Sequence, residues 1–154
     1  MESYKHWGYL LLRVSLGLIF LFYGLGKLMA GPGAFAEMMG GQFAKTPAPS
    51  GLVHLFSLLL PFLEIIVGVL VLLGLFTLVG LSLMAVLMMG LTIGVILLQQ
   101  PQTVAQNLLY SLCTFFLIFY SEYNVLALDT LLRRRERHAA GSYESHPPII
   151  GRPA

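Results

Sequence analysis

The sequence predicts an all-α integral membrane protein, a four-helix bundle followed by an amphipathic helix at the membrane surface. Hydrophobic residues make up 57% of the 154 residues and charged residues only 10%, and the mean hydropathy is +0.82. A soluble domain carries roughly 25% charged residues. In lipid only helices and closed barrels satisfy their backbone, and the apolar runs here are continuous where barrel strands would alternate.

Four apolar runs reach the length of about 20 residues that a spanning helix needs. We expect them within a transmembrane domain over residues 1–138, at about 9–29, 52–74, 76–98 and 105–123. The same domain ends with VLALDTLLRRRERH, about 125–138, which is typical of an interfacial amphipathic helix. Residues 139–154 form a C-terminal tail rich in small residues and proline.

The connection over residues 30–50 is longer than the usual 2 to 8 residues between bundled helices, so a function or a partner contact is expected there. Its middle, AFAEMMGGQF, is compatible with a short interfacial helix. We favour the simpler interpretation, a loop that covers the bundle.

The distribution of charge indicates an orientation and excludes some classes of partner. The basic cluster in LLRRRERH predicts a cytoplasmic C-terminus, and four spans then place the N-terminus on the same side. A net charge of +2 does not suggest a nucleic-acid partner. With one cysteine, Cys113, and no metal-ligand spacing, we expect no intramolecular disulfide, no metal site and no cofactor held within the chain.

Glu64 is the first candidate functional residue because it stands in the apolar run FLEIIVGVLVLLGLFT. It is the only formal charge between Lys45 and Glu122. An ionised carboxylate in lipid costs several kcal/mol unless it is paired. Two interpretations stay open, a functional group that exchanges a proton and a purely structural buried pair.

Two cations of the first span are the candidate partners of Glu64. Arg13 and Lys27 share one helix face with Gly17 and Gly24. Antiparallel packing places Glu64 between the two cations in depth, with Arg13 nearer at roughly 8 to 10 Å along the axis. We therefore expect an Arg13–Glu64 link, and we expect Lys27 to extend toward the outer interface.

Further residues complete a predicted polar pocket and its surroundings. Pro61 removes a helical hydrogen bond near Glu64 and is expected to open the helix to water or a ligand. Asn107 is a further pocket residue, and Asp129 is a second candidate partner for Arg13. Tyr110, Tyr120 and Tyr123 are interpreted as aromatic anchors at the interfaces. Small residues allow close helix packing, and the expected packing positions are Gly17, Gly24, Gly68, Gly90 and Gly94.

The order of these residues resembles the DoxX family of small four-helix bacterial membrane proteins. The first span reads R-x-x-x-G and G-x-x-K, and the second reads P-x-x-E-x-x-x-G and G-x-x-T. The matching positions, over roughly residues 9–132, are Arg13, Gly17, Gly24, Lys27, Pro61, Glu64, Gly68, Gly74, Thr77, Asn107 and Asp129.

The resemblance implies a bacterial inner-membrane protein with a redox-linked role. Relatives in that family include a subunit of a thiosulfate:quinone oxidoreductase and a membrane component that assembles with superoxide dismutase and a sulfurtransferase. A quinone is therefore an implied ligand, and other membrane or membrane-associated subunits are implied partners.

Three functions remain open from the sequence. The first is a redox-associated subunit whose polar pocket holds a quinone or a small oxidised sulfur species. The second is a non-catalytic structural subunit of a larger membrane complex, in which the buried charges fix helix register. The third is a small-molecule carrier, which four helices could form only as a narrow pore unless they dimerise.

Overall fold

A computed structural model describes residues 3–124, and every regular element in this range is helical. The elements are α1 (Ser3–Ala30), α2 (Pro32–Phe43), α3 (Ser50–Leu73), α4 (Thr77–Leu97), α5 (Pro101–Phe119) and a 3₁₀ turn (Ser121–Tyr123). Helices α1, α3, α4 and α5 are long and apolar enough to cross a membrane. The predicted all-α membrane bundle is confirmed. The predicted interfacial helix, Asp129 and the tail lie outside the described residues.

Glycine and proline set the main helix boundaries. Gly74 ends α3 in the left-handed conformation (φ 67°), and its N–H donates to the carbonyl of Leu70. Gly31, with φ 93°, turns the chain between α1 and α2. Pro32 then begins α2, at a position where its missing N–H costs nothing. Helices α3 and α4 therefore form a tight hairpin, and α2 follows α1 with almost no connection.

The prediction of a covering loop over residues 30–50 is wrong. Residues 32–43 of this connection form helix α2. At about 1.5 Å per residue a helix of 12 residues is about 18 Å long, too short to cross the hydrocarbon. It packs against α3 and α1, and Ala36 is completely buried in this contact. Packing against two neighbouring helices outweighs the glycine content of the segment, which is a poor intrinsic signal for a helix.

The closest contact in the bundle joins α1 to α3 through three glycines. A Cβ atom on Gly68 would lie 2.6 Å from a backbone nitrogen of α1, and one on Gly17 would lie 2.7 Å from a backbone nitrogen of α3. The two backbones therefore touch, as small residues permit in membrane helices. The contacts give one constant antiparallel register, which sets Gly17 against Leu72, Leu21 against Gly68 and Gly24 against Ile65.

Gly90 and Gly94 on α4 have a different environment from the glycines of α1 and α3. A Cβ on Gly90 would meet the Phe56 ring at 3.5 Å, and one on Gly94 would meet the Phe43 ring at 3.4 Å. These are ordinary contacts with side chains, so no backbone approaches α4 here. The GxxxG pattern of α4 therefore faces aromatic rings and not a helix backbone.

A hydrogen-bond network joins the end of α5 to α1 and α4. The buried Arg13 side chain donates from Nη1 to Oδ1 of Asn124 at 2.8 Å. The Asn124 amide in turn donates to the hydroxyl of Thr77, the first residue of α4, at 2.9 Å. Tyr9 donates from its hydroxyl to the carbonyl of Leu117 at 3.1 Å. Arg13 thus belongs to the bundle end at which α5 finishes.

Gly17→Ala should destabilise the bundle because its methyl group would enter the α3 backbone. We expect a loss of about 2 kcal/mol in the free energy of unfolding, measured in mixed detergent micelles. Gly26→Ala is the matched control, since nothing lies within 4 Å of a Cβ at Gly26. The control should be neutral or stabilising by up to about 1 kcal/mol, because alanine favours the helix. Equal effects of the two substitutions would contradict the backbone contact.

Candidate functional site

The register of α1 against α3 brings Lys27 to Glu64. Glu64 lies level with Leu25, two residues along α1 from Lys27. The Lys27 ammonium donates to both carboxylate oxygens of Glu64, at 2.6 Å and 2.5 Å. The Glu64 side chain is 5% exposed and that of Lys27 is 22% exposed. The carboxylate is thus buried and paired, while its cation borders open space.

The expected Arg13–Glu64 link is wrong. Arg13 lies twelve residues along α1 from the level of Glu64, a separation of about 18 Å at 1.5 Å per residue. Its side chain is instead held in the network with Asn124 at the other end of α1.

The error came from treating the end of α1 as the outer surface of the bundle. In the observed register Ala30 lies level with about residue 59, so α3 continues for about nine residues, or roughly 14 Å, past the end of α1. Helix α2 packs beside this extension. Lys27 therefore lies inside the helix assembly and turns inward, where the sequence analysis expected it to extend toward an interface.

Two aromatic rings complete the surroundings of the Lys27 ammonium. Nζ lies 5.6 Å from the ring centre of Tyr23 and 5.6 Å from that of Phe35. These distances are within the range in which a cation is attracted by a ring face, about 6 Å. The carboxylate and the rings together offset the loss of hydration that the ammonium suffers.

The ion pair lies on the wall of a cavity of about 280 Å³, which we call the polar cavity. Asn107 of α5, which is buried, also lines it, so the structure brings together three of the five predicted pocket residues. Arg13 is not among its lining residues, and Asp129 lies outside the described residues. The further polar lining residues are Tyr23, Thr103, Gln106 and Tyr110.

Sequence reasoning missed Tyr23 and Gln106, and it interpreted Tyr110 as an interfacial anchor. Gln106 donates from its amide to the Tyr110 hydroxyl at 3.1 Å, so the two side chains act as one polar unit on the cavity wall. The sequence spacing gave one indication of these contacts. Tyr23 lies one helical turn before Lys27, and Gln106 lies one turn before Tyr110, so each pair shares a helix face. This indication was weak because tyrosines near helix ends also suit membrane interfaces.

A second cavity of about 300 Å³, the apolar cavity, lies between α2, α3 and α4. Its wall is almost entirely apolar, and the glycines Gly90 and Gly94 border it. The two cavities share part of their wall, namely Phe35, Met39, Leu60, Leu91 and Val95. The ion pair thus lies close to an apolar groove.

Helix α3 continues through Pro61 without a break. Pro61 has no N–H, and the carbonyl of Ser57 therefore lacks its usual helical donor. Ser57 borders the apolar cavity. Pro61 itself is buried, and its carbonyl lies against Gly24 at the α1 contact.

The site thus offers hydrogen-bond donors and one carboxylate, within reach of an apolar space. Within residues 3–124 no group of three or more His, Cys, Asp or Glu side chains is placed to hold a metal ion. The arrangement can bind a small polar head group, and its carboxylate can accept or release a proton.

These features define a helical multi-pass membrane protein with an ion pair inside its bundle. The chain belongs to the MauE family, described as methylamine utilisation protein MauE, whose family model matches residues 5–104. The match includes both Lys27 and Glu64. No curated protein and no solved structure matches the chain.

The resemblance to the DoxX family is therefore wrong, since the family that matches is MauE. The motif residues behind the resemblance are mostly glycines and charges on two neighbouring helices. Close contact between membrane helices requires small residues, and a buried charge requires a partner, whatever the family. Such a pattern identifies a helix pair more readily than it identifies a family.

Lys27→Met and Glu64→Gln should each destabilise the protein, and the double variant should lose less than the sum. Each single change leaves a buried polar group without its partner, so we expect a loss of about 2 to 3 kcal/mol in the free energy of unfolding. The coupling energy of the pair should be about 1 to 3 kcal/mol.

Two further variants serve as controls for the comparison of the single and double variants of Lys27 and Glu64. Lys45→Met, at an exposed lysine in the α2–α3 connection, should leave stability unchanged within about 0.5 kcal/mol. Arg13→Met combined with Glu64→Gln should be additive within about 0.5 kcal/mol, because the residues are far apart. Coupling of Glu64 to Arg13 in place of Lys27 would contradict the observed register.

Proposed function

We propose that this MauE-family chain is a membrane component of a redox-linked system for methylamine utilisation, and that its polar cavity binds the head group of a quinone. The observation that carries the proposal is the Lys27–Glu64 pair on the wall of that cavity. The family description supports the link to methylamine utilisation. The support for a quinone comes from the chemistry of the cavity alone. The DoxX resemblance, which is wrong, gives it no support.

The polar lining is suited to a quinone ring. Each ring carbonyl accepts hydrogen bonds, and the donors around the cavity are the Lys27 ammonium, the Asn107 amide and the hydroxyls of Tyr23 and Tyr110. The apolar residues between them favour a flat, weakly hydrated ring. Few donors in an otherwise apolar wall are the usual composition of a small-molecule site.

Glu64 is the group that we assign to proton exchange. Reduction of a quinone to its quinol takes up two electrons and two protons. When Lys27 turns from Glu64 to a ring oxygen, the unpaired carboxylate binds a proton from water, and the resulting carboxylic acid passes that proton to the reduced ring oxygen. The second proton is taken up from water in the same way. We assign the electrons to a redox protein that works with this chain, and the role of this chain is to hold the head group and supply the protons.

Glu64→Gln should weaken quinone binding and growth on methylamine. The purified protein in lipid nanodiscs is titrated with 2,3-dimethoxy-5-methyl-1,4-benzoquinone, and Lys27→Met and Glu64→Gln should each raise Kd about tenfold or more, equivalent to about 1.4 kcal/mol. In a strain that lacks the chain, each variant should fail to restore growth on methylamine while growth on ammonium stays normal. Lys45→Met is the control and should behave as the wild type.

Two outcomes would overturn this proposal. If the wild-type protein does not bind the quinone, the proposed quinone site is wrong. If the double variant with Lys27→Met and Glu64→Leu restores both stability and growth, the pair is only structural. The chain would then be an accessory subunit whose buried charges fix helix register, and it should copurify with stoichiometric partners in mild detergent.

A carrier for a small ammonium ion is a second candidate, favoured by the surroundings of Lys27. A carboxylate and two aromatic rings hold the Lys27 ammonium, and the same groups suit a methylammonium ion. We place this candidate second because the tethered ammonium already occupies the position. Uptake of labelled methylammonium by vesicles that contain the protein, abolished by Glu64→Gln, would favour it over the quinone site.

We also propose that the chain lies in a bacterial inner membrane with both termini in the cytoplasm, because of the arginine cluster at residues 133–137. In a Cys113→Ala background, Lys45→Cys should react with an impermeant maleimide in intact spheroplasts. Glu122→Cys should react only after lysis. Both positions are exposed in the structure, so the opposite labelling pattern would reverse the orientation.

A further inference from the structure

The apolar cavity is an open space beside two glycines of α4. Gly90 and Gly94 border this cavity, and a Cβ at either position would be in van der Waals contact with the ring of Phe56 or Phe43. In a closely packed helix pair the backbone of a neighbouring helix contacts the glycines, as the backbones of α1 and α3 do. Here the space remains open, with a volume of about 300 Å³.

The contents of this cavity are limited by its wall and by its position. Its lining offers almost no polar surface, so a second polar ligand has nothing to bind there. It lies next to the polar cavity, and the two share the lining residues Phe35, Met39, Leu60, Leu91 and Val95. Along α3 the step is one turn, from Leu60 on the shared wall to Glu64 at the ion pair.

We propose that the apolar cavity holds the hydrocarbon chain of the same molecule whose head group occupies the polar cavity, so that the site selects a quinone with one apolar chain. This inference rests on the proposed function for its head group. It places that chain in the groove between α2, α3 and α4.

The expected preference comes from shape and not from hydrophobicity. Lipid tails are as apolar as the cavity wall, so moving a chain from lipid into the cavity gains little by removal from water. The gain comes from van der Waals contact in a groove of fixed width and from tethering to a bound head group. Blocking the groove should therefore weaken binding of a chain-bearing quinone specifically.

Gly94→Leu and Gly90→Leu test the inference in the full-length protein in nanodiscs. Each places a branched side chain in the apolar cavity, where a Cβ meets only side-chain atoms of an aromatic ring. We expect the Kd of a quinone with a ten-carbon chain to rise about tenfold in both variants. The Kd of the chainless 2,3-dimethoxy-5-methyl-1,4-benzoquinone should stay within about twofold.

The controls remove the effects of partitioning and of misfolding. Comparing variants at the same lipid content cancels the partitioning of the chain into the bilayer. Gly26→Leu, at an α1 position with nothing within 4 Å, should leave both Kd values unchanged. If one glycine variant does not fold, the other tests the same cavity. A photoreactive diazirine at the end of the ten-carbon chain should label residues near Phe43 and Leu98 in the wild type but not in the variants.

The outcomes separate this inference from the proposed function. If the chainless quinone binds and the glycine variants affect both quinones equally or neither, the chain site is wrong and the head-group site stands. Labelling that is unchanged by Gly94→Leu would overturn it too. If the chainless quinone does not bind but labelling of the cavity is lost in the glycine variants, the head-group assignment is wrong. The cavity then binds an apolar chain without a head group in the polar cavity, which overturns this inference as well.

Discussion

The contact between the backbones of α1 and α3 is the constraint on which the rest of the bundle depends. Gly17, Gly24 and Gly68 allow the two helices to touch, and the contact exists in one register only. That register makes Lys27 nearly level with Glu64. If α1 slid by one turn, about 5.4 Å, the glycines would meet side chains and the ion pair would separate. The glycines and the charges therefore favour the same alignment.

The energetics of the lipid environment explain why the glycine contact and the ion pair occur together. Lipid provides no hydrophobic force that drives apolar helices together, so association depends on van der Waals contact and polar interaction. A close glycine contact supplies the first of these. The buried carboxylate makes any arrangement without its cation unfavourable by several kcal/mol. A buried ion pair is weak evidence for net stability, because desolvation of the two charges opposes their attraction.

The sequence predicted the bundle well because hydropathy depends on local composition. The four spans and the isolated Glu64 were evident, but the partner of Glu64 was not, since depth was judged from the ends of separate apolar runs. The depth of Lys27 depends on helix α2, because α2 follows α1 at Gly31 and covers a part of α3 that extends beyond Lys27. Its helical form depends on packing against α1 and α3, which local propensity does not reveal.

The two cations of α1 have different surroundings, and this difference is the reason that our proposed site includes only Lys27. Arg13 is 3% exposed and bonded to Asn124, which reaches Thr77, so its charge joins three helices at one end. Moving Arg13 would break connections among α1, α4 and the end of α5. Lys27 borders a cavity and has one carboxylate as its hydrogen-bond partner in the described structure. A change of partner by Lys27 would leave the Arg13 network intact, and the proposed binding of a ligand beside Glu64 requires such a change.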